Sequence, residues 1–233
     1  MFNARSYKKE LLDERHIPKE DLIRNLKELH TINRLLGGYK VILSGVKKIL
    51  EANVKDKIKI LDIGSGGGDT LKAIHNKFNA EHTISLTGVD LKEDCINYAR
   101  SNSNGFNIQF IQSDYRNLMC DTNKYDIIIV SLFCHHLNDH EIVSLLKWMR
   151  KNAERGIVIN DLHRHFLAYH SIRILTQLFS SSYLVKNDAP LSVLRAFRKH
   201  ELIKLMEQAE ISDYQIIWKW AFRWMICIKI SNK

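Results

Sequence analysis

The stretch Ile60-Leu61-Asp62-Ile63-Gly64-Ser65-Gly66-Gly67-Gly68-Asp69 limits the fold more than any other part of this chain. Apolar residues at 58, 60, 61 and 63 fit a strand buried on both faces, and Thr70, Leu71, Ala73 and Ile74 fit a helix starting directly after it. Between them lies a glycine-rich turn. Glycine takes positive φ without strain and admits a ligand against bare backbone, whose N–H groups point outward where a helix starts.

The pattern then repeats. Ile84 to Asp90 reads as a second strand ending in an acid, with a helix over Glu93 to Ser101; Asn107 to Asp114 is a third strand ending in an acid. Tyr125 to Leu132 is a fourth, followed by a helix over Asp139 to Asn152, and Gly156 to Asp161 is a fifth. Strands alternating with helices predict a parallel sheet covered on both faces, a doubly wound α/β fold. Tyr214 to Ile230 alternates enough to form two closing strands with a turn at Lys219 to Arg223.

Ahead of the glycine turn, residues 1–18 are polar and of mixed charge. Helices are predicted over Lys19 to Leu36, closed by Gly37-Gly38, and over Val41 to Ala52, with a polar loop from Asn53 to Lys57. After the fifth strand the regularity breaks. An amphipathic helix carries Leu167, Ile172, Leu175 and Phe179 beside His163, Arg164, His165, His170 and Arg173. A loop through Ser180-Ser181-Ser182 and Asp188-Ala189-Pro190 follows, and then a last helix over Lys199 to Glu210.

Thirty-five Lys plus Arg against 26 Asp plus Glu leave a net charge of +9, which attracts nucleic acids, anionic membranes and acidic small molecules alike. Cys95, Cys120, Cys134 and Cys227 are widely spaced, with no C-x-x-C, so reduced thiols in the cytoplasm are expected. The chain has no secretory signal pattern and no apolar run of the ~18 residues that a membrane span needs.

A nicotinamide site asks for G-x-G-x-x-G, but Asp69 stands at the third glycine. The run is instead D-x-G-x-G-x-G from Asp62 to Gly68, and here the sequence resembles class I S-adenosylmethionine-dependent methyltransferases. Asp90 stands where that family places an acid on the ribose hydroxyls, Asp114 where an acid pairs with the adenine amine, and Tyr125-Asp126 leading into Ile127 to Val130 is similar to its fourth motif. The likeness covers about 56–162 and 199–231 and is nearest to small-molecule enzymes of the ubiquinone and menaquinone biosynthesis type. Asn33-Arg34-x-Leu-Gly37-Gly38 and Asn160-Asp161-Leu-His163-Arg164-His165 carry a narrower likeness to a bacterial group with no firm substrate.

The resemblance implies S-adenosyl-L-methionine as cofactor. It implies a Rossmann-like seven-stranded sheet, mostly parallel with an antiparallel C-terminal strand, with N-terminal helices and a helical insertion after strand 5. A single methyltransferase domain over 1–233 is expected, 1–55 forming a helical cap and 163–198 a helical lid. The cofactor set is Asp62, Gly64, Ser65, Gly66, Gly68, Asp90, Leu91, Asp114, Tyr115, Ser131 and Arg34.

The acceptor is sought in what remains. Amino-methyltransferases of nucleic acids resemble one another in an N/D-P-P-Y element, where this chain has Ser131-Leu132-Phe133-Cys134; its prolines are Pro18 and Pro190 alone. Ser131 also disfavours a ribose O-methyltransferase of the Lys-Asp-Lys-Glu type. Nucleic acid is therefore not the expected partner. An apolar or phenolic small molecule is, methylated on oxygen rather than carbon. The alternatives are a nucleic-acid methyltransferase and a non-catalytic S-adenosylmethionine-binding protein.

A phenol must lose a proton, and histidine suits that task. His135, His163 and His165 are the catalytic candidates, and the resemblance implies that His135 faces the acceptor while His136 packs behind. Tyr7, Phe133, Tyr169, Phe179, Tyr183 and Arg198 join Arg34 as secondary pocket candidates. No metal is assigned. The insertion is expected to exclude water as a lid, with transient contact to an anionic membrane as its alternative role.

Overall fold

The computed structural model describes residues 2–14, 16–51, 57–118 and 124–230. Cys120 and most of the expected loop before the first strand fall outside these residues. Seven strands form one sheet: β1 Lys57–Ile63, β2 Thr83–Asp90, β3 Ile108–Gln112, β4 Tyr125–Ser131, β5 Ala153–Leu162, β6 Tyr214–Lys219 and β7 Arg223–Lys229. Their order is β3-β2-β1-β4-β5-β7-β6. The first five are parallel, and β7 runs antiparallel to both β5 and β6.

Among the described residues eight α-helices accompany them: α1 Lys19–Leu35, α2 Gly38–Leu50, α3 Asp69–Phe78, α4 Glu93–Asn102, α5 Asp139–Asn152, α6 Phe166–Phe179, α7 Tyr183–Arg195 and α8 Lys199–Gln208. Alternation along the strands splits the core in two. Ile127 and Ile129 of β4 join α2, α3 and α4 on one face, while Ile128 and Val130 join α5 and α8 on the other. All four are fully buried. A strand with both faces covered reads as a continuous apolar run, as β4 does.

Local chemistry sets the boundaries. Asn138 and Glu141 form a reciprocal cap at the start of α5, with N–H to side-chain oxygen distances of 3.0 and 2.8 Å. Gly37, at φ +73°, turns the chain from α1 into α2, so α2 starts three residues before the expected Val41. β3 is shorter than expected because Asp114 leaves the sheet to cap a one-turn 3-10 helix over Tyr115–Asn117.

The expected loop at 180–190 is instead mostly helical. Ser182 caps α7 by accepting from Val185 N, and Pro190 sits inside the helix, buried with Leu184, Val185, Leu191 and Val193. Proline there forfeits a helical hydrogen bond, but burial of this apolar set outweighs it.

α7 has a structural client. Its Asp188 accepts the N–H groups of Leu11 and Leu12 at 2.8 and 2.9 Å, at the start of a one-turn 3-10 helix over Leu11–Asp13. The polar N-terminal segment is thereby strapped across the sheet's carboxyl end. Replacing Asp188 by alanine strands two N–H groups and is expected to cost about 2–4 kcal/mol in denaturant unfolding. Amide exchange at Leu11 and Leu12 should accelerate more than exchange in β1 or β4; equal protection in the variant would contradict the strap.

Candidate active site

The order of strands reverses at β1, which pairs with β2 on one side and β4 on the other. In open parallel sheets this reversal opens a crevice at the carboxyl ends of the strands. A cavity of about 820 Å³ lies there. Its floor is Asp62 and the turn 64–67; Val89 to Cys95 follow β2, Ser113 to Arg116 follow β3, and Ser131, Leu132, Phe133, His136 and Leu137 follow β4.

The turn is held from below. Gly64 N and Ser65 N both donate to Val89 O, at 2.9 and 3.0 Å. Gly64 has φ +71°, and a Cβ placed on it would lie 2.5 Å from the Phe133 ring. Both the backbone angle and the close approach of Phe133 require glycine there. Gly66 N donates to Asp90 Oδ2 at 3.0 Å and Lys92 N to Asp90 Oδ1 at 3.0 Å, so one carboxylate ties the turn to the end of β2.

Two buried polar groups on this floor have no partner among the described residues: Asp62 Oδ1 and Ser65 Oγ. Burial, with the Asp90 charge beside it, pushes the Asp62 carboxyl well above the usual range, and burial also raises Asp90. Orphaned groups of this kind are costly unless a ligand satisfies them. A nucleoside carrying hydroxyls and an ammonium group fits these acceptors.

Of the expected cofactor set, Asp62, Gly64, Ser65, Gly66, Asp90, Leu91, Asp114, Tyr115 and Ser131 line the cavity, while Gly68 and Arg34 do not. Gly68 precedes α3 at φ +77°, and Arg34 is exposed. Asp114 is committed to Arg116, which grips both its carboxylate oxygens and holds its carboxyl below the usual range. Asn33, beside Arg34, does reach the cavity and accepts from Arg223 at 3.0 Å. The sequence offered no signal for Arg223, which is nearly fully buried and lowered to about 10 by that burial.

The histidines depart from expectation. His136 lines the cavity and His135 does not; His135 is only 3% exposed. The expected orientation is reversed because Leu132 takes φ +54° and Cys134–His136 form a 3-10 turn, which ends the strand alternation. His135 Nδ1 lies 2.7 Å from Asp161, and His136 Nδ1 lies 2.7 Å from Asp13. Burial would raise Asp161, but the charge and hydrogen bond of His135 outweigh it and hold Asp161 low.

His163 and His165 lie outside the cavity lining. His165 caps α6 by accepting from Leu167 N, and His163 packs on Trp224 with its affinity for protons lowered by burial to a pKa of about 4, a poor setting for a base. Among the secondary candidates, Phe133 reaches the cavity, whereas Tyr7, Tyr169, Phe179, Tyr183 and Arg198 do not.

The expected lid is likewise displaced. No residue of 163–198 lines the cavity; Leu12, Asp13, Glu14 and Ile17 of the N-terminal segment and Leu22, Leu26 and Leu29 of α1 cover it. The insertion braces that cover through Asp188 and Arg195. It turns Phe166, Ile174, Leu178 and Phe179 outward, each at least half exposed.

Comparisons with known proteins agree with this geometry. The family described as "Methyltransferase domain" matches residues 60–156. The chain is 27% identical over 176 residues to the ubiquinone biosynthesis O-methyltransferase of Coxiella burnetii, covering 68% of each protein. It is 22% identical over 207 residues to the carboxy-S-adenosyl-L-methionine synthase of Staphylococcus epidermidis, covering 83% of this chain and 82% of the other. In structure it is similar to the plantazolicin methyltransferase BpumL in complex with a triazolic desmethylPZN analog and SAH, with a TM-score of 0.70, 18% identity and coverage of 90% and 91%.

The fold and the glycine crevice are thus those of class I methyltransferases. The matching family and relatives support S-adenosylmethionine-dependent methyl transfer to a small molecule.

Alanine in place of Asp90 removes the tie between turn and β2. Calorimetry should then give affinity for S-adenosylhomocysteine about 10–100-fold weaker, the worth of a charge-assisted hydrogen bond or two. Since burial raises the Asp62 and Asp90 carboxyls and a cationic ligand favours their charged forms, S-adenosylmethionine binding should release protons and tighten as pH rises through the range in which they titrate. Equal heats in buffers of different ionisation enthalpy would contradict this.

Proposed function

We propose that the protein transfers the methyl group of S-adenosylmethionine to an oxygen of an apolar or phenolic small molecule in the cytoplasm. The observation that carries this reading is His136. It stands on the cavity wall between Phe133 and Leu137, its Nδ1 occupied by Asp13, and its Nε2, 3.8 Å from Glu10 Oε2, is the nitrogen that remains to take a hydroxyl proton.

The cofactor supplies a methyl already activated on a sulfonium, so the chain's task is alignment, dryness and removal of that proton. Leu12, Ile17, Leu22, Leu26 and Leu29 on the cover and Phe133 on the wall favour a flat apolar body. Asp13 holds the His136 ring in one orientation, and its own carboxyl is kept well below the usual range because the His136 bond overcomes burial. The Coxiella burnetii relative, by name an O-methyltransferase of ubiquinone biosynthesis, supports oxygen as the target.

A panel of phenols incubated with a labelled methyl donor tests the proposal. In His136→Gln, kcat is expected to fall by about 10²–10⁴-fold with donor affinity unchanged. Full turnover by that variant across pH would remove His136 from the reaction, and salt-sensitive RNA methylation without phenol methylation would replace the acceptor.

The net charge of +9 and the outward apolar face of α6 support transient contact with an anionic membrane that carries the acceptor. Cosedimentation with anionic but not zwitterionic vesicles is the expected outcome. Equal behaviour with both removes this part of the proposal.

A further inference from the structure

Glu10 connects the two histidines. Its Oε1 lies 3.8 Å from His135 Nε2 and its Oε2 3.8 Å from His136 Nε2. One ligand atom from each of the three residues lies within 4.8 Å of the others. On the far side of each ring, Nδ1 is held by a carboxylate at 2.7 Å, Asp161 for His135 and Asp13 for His136. A carboxylate on Nδ1 fixes the neutral tautomer that presents a lone pair at Nε2, and metal-ligating histidines are oriented in this way. Here it occurs twice, with both Nε2 atoms facing one buried carboxylate.

We propose that Glu10, His135 and His136 bind a divalent first-row transition ion, of which Zn²⁺ is the reference case. Two imidazoles and one carboxylate suit such an ion better than Mg²⁺ or Ca²⁺, which prefer oxygen alone. Ligand atoms around a tetrahedral ion at ~2.1 Å stand ~3.4 Å apart; one atom from each residue already lies within 4.8 Å of the others, so the rings and the carboxylate close by about 1.4 Å at most on binding.

Charge points the same way. Arg195 is the guanidinium in contact with the cluster, 3.7 Å from Glu10 and 2.9 Å from Asp13. Arg5 is engaged with Asp139. With Glu10 ionised and both rings deprotonated, as a bound ion requires, Glu10, Asp13 and Asp161 outnumber Arg195, and a divalent cation balances the excess that protons on the rings and on Glu10 balance without it. His136 alone of the three ligands borders the cavity, so an ion would enter past it and keep a fourth position toward the acceptor.

The ion site stands by itself; its use in catalysis rests on the proposed methyl transfer to oxygen. A bound ion occupies His136 Nε2 and ionises the hydroxyl in its place: the acceptor oxygen joins the ion and the hydroxyl proton leaves to water. The loss of activity in His136→Gln is common to both routes.

The test uses the full chain, stripped with a chelator and titrated with Co²⁺. One equivalent should produce visible d–d absorption that Zn²⁺ abolishes. Glu10→Gln should lose the absorption, and Asp13→Asn, which keeps all three ligands, should weaken Zn²⁺ binding about 10–100-fold. Calorimetry with S-adenosylhomocysteine on the same samples reports folding and the donor site separately. Absence of the Co²⁺ bands in the wild type, or Zn²⁺ affinity unchanged in Glu10→Gln that still binds S-adenosylhomocysteine, overturns the site. Co²⁺ binding without any affinity for S-adenosylhomocysteine would instead overturn the methyl-transfer reading and leave the ion site in place.

Discussion

The histidine turn and the N-terminal cover of this cavity hang on the Arg195 guanidinium. It donates to His135 O at 2.9 Å, His136 O at 2.8 Å, Lys8 O at 2.9 Å and Asp13 Oδ2 at 2.9 Å. One planar fork thus fixes the histidine turn and the N-terminal strap to the end of α7. Arginine suits the role because its donors lie in a rigid plane and its charge persists when buried. Lysine, a point charge on a flexible stem, would leave several of these carbonyls unpaired. Arg5 repeats the device beneath, joining Arg195 O, Leu137 O and Asp139.

The donor half depends on much less. Its turn is shaped by backbone bonds to Val89 and by Asp90, all within the β1-α3-β2 unit. Local geometry builds the floor, and long-range ion pairs build the wall and cover. Such a division lets one fold keep its nucleotide crevice while the acceptor wall is made from segments outside the sheet.

Legibility in the sequence followed the same division. The central strands and the helix over Asp139–Asn152 could be read because each is a periodic or apolar run with its boundary chemistry beside it. Asp62 and Asp90 could be read because strand ends converge in a parallel sheet whatever the rest of the chain does. Glu10 and Asp13 could not. They lie in a polar segment with no periodicity, and their significance comes from Asp188 and Arg195, far along the chain. α7 was hidden by Pro190, whose local preference yields to burial. The facing of His135 and His136 was expected from the resemblance alone; the left-handed Leu132 and the 3-10 turn after it set that facing locally, and neither has a periodic signal.

Burial makes the acceptor wall informative about function. Glu10, His135 and Asp161 are each 3% exposed or less, and burial lifts the Glu10 carboxyl to about 7. Taking charges out of water costs more than most ion pairs return, and an apolar set of the same volume would hold a strap to a sheet as well or better. Stability therefore gives no reason for two imidazoles and three carboxylates at this point. Chemistry does, because His136, the imidazole of the group that reaches the cavity, is held in a single orientation by Asp13 beside it. Asp13, itself held by Arg195, positions that ring, and the strap that carries Glu10 and Asp13 joins the covering of the pocket to the histidine on its wall.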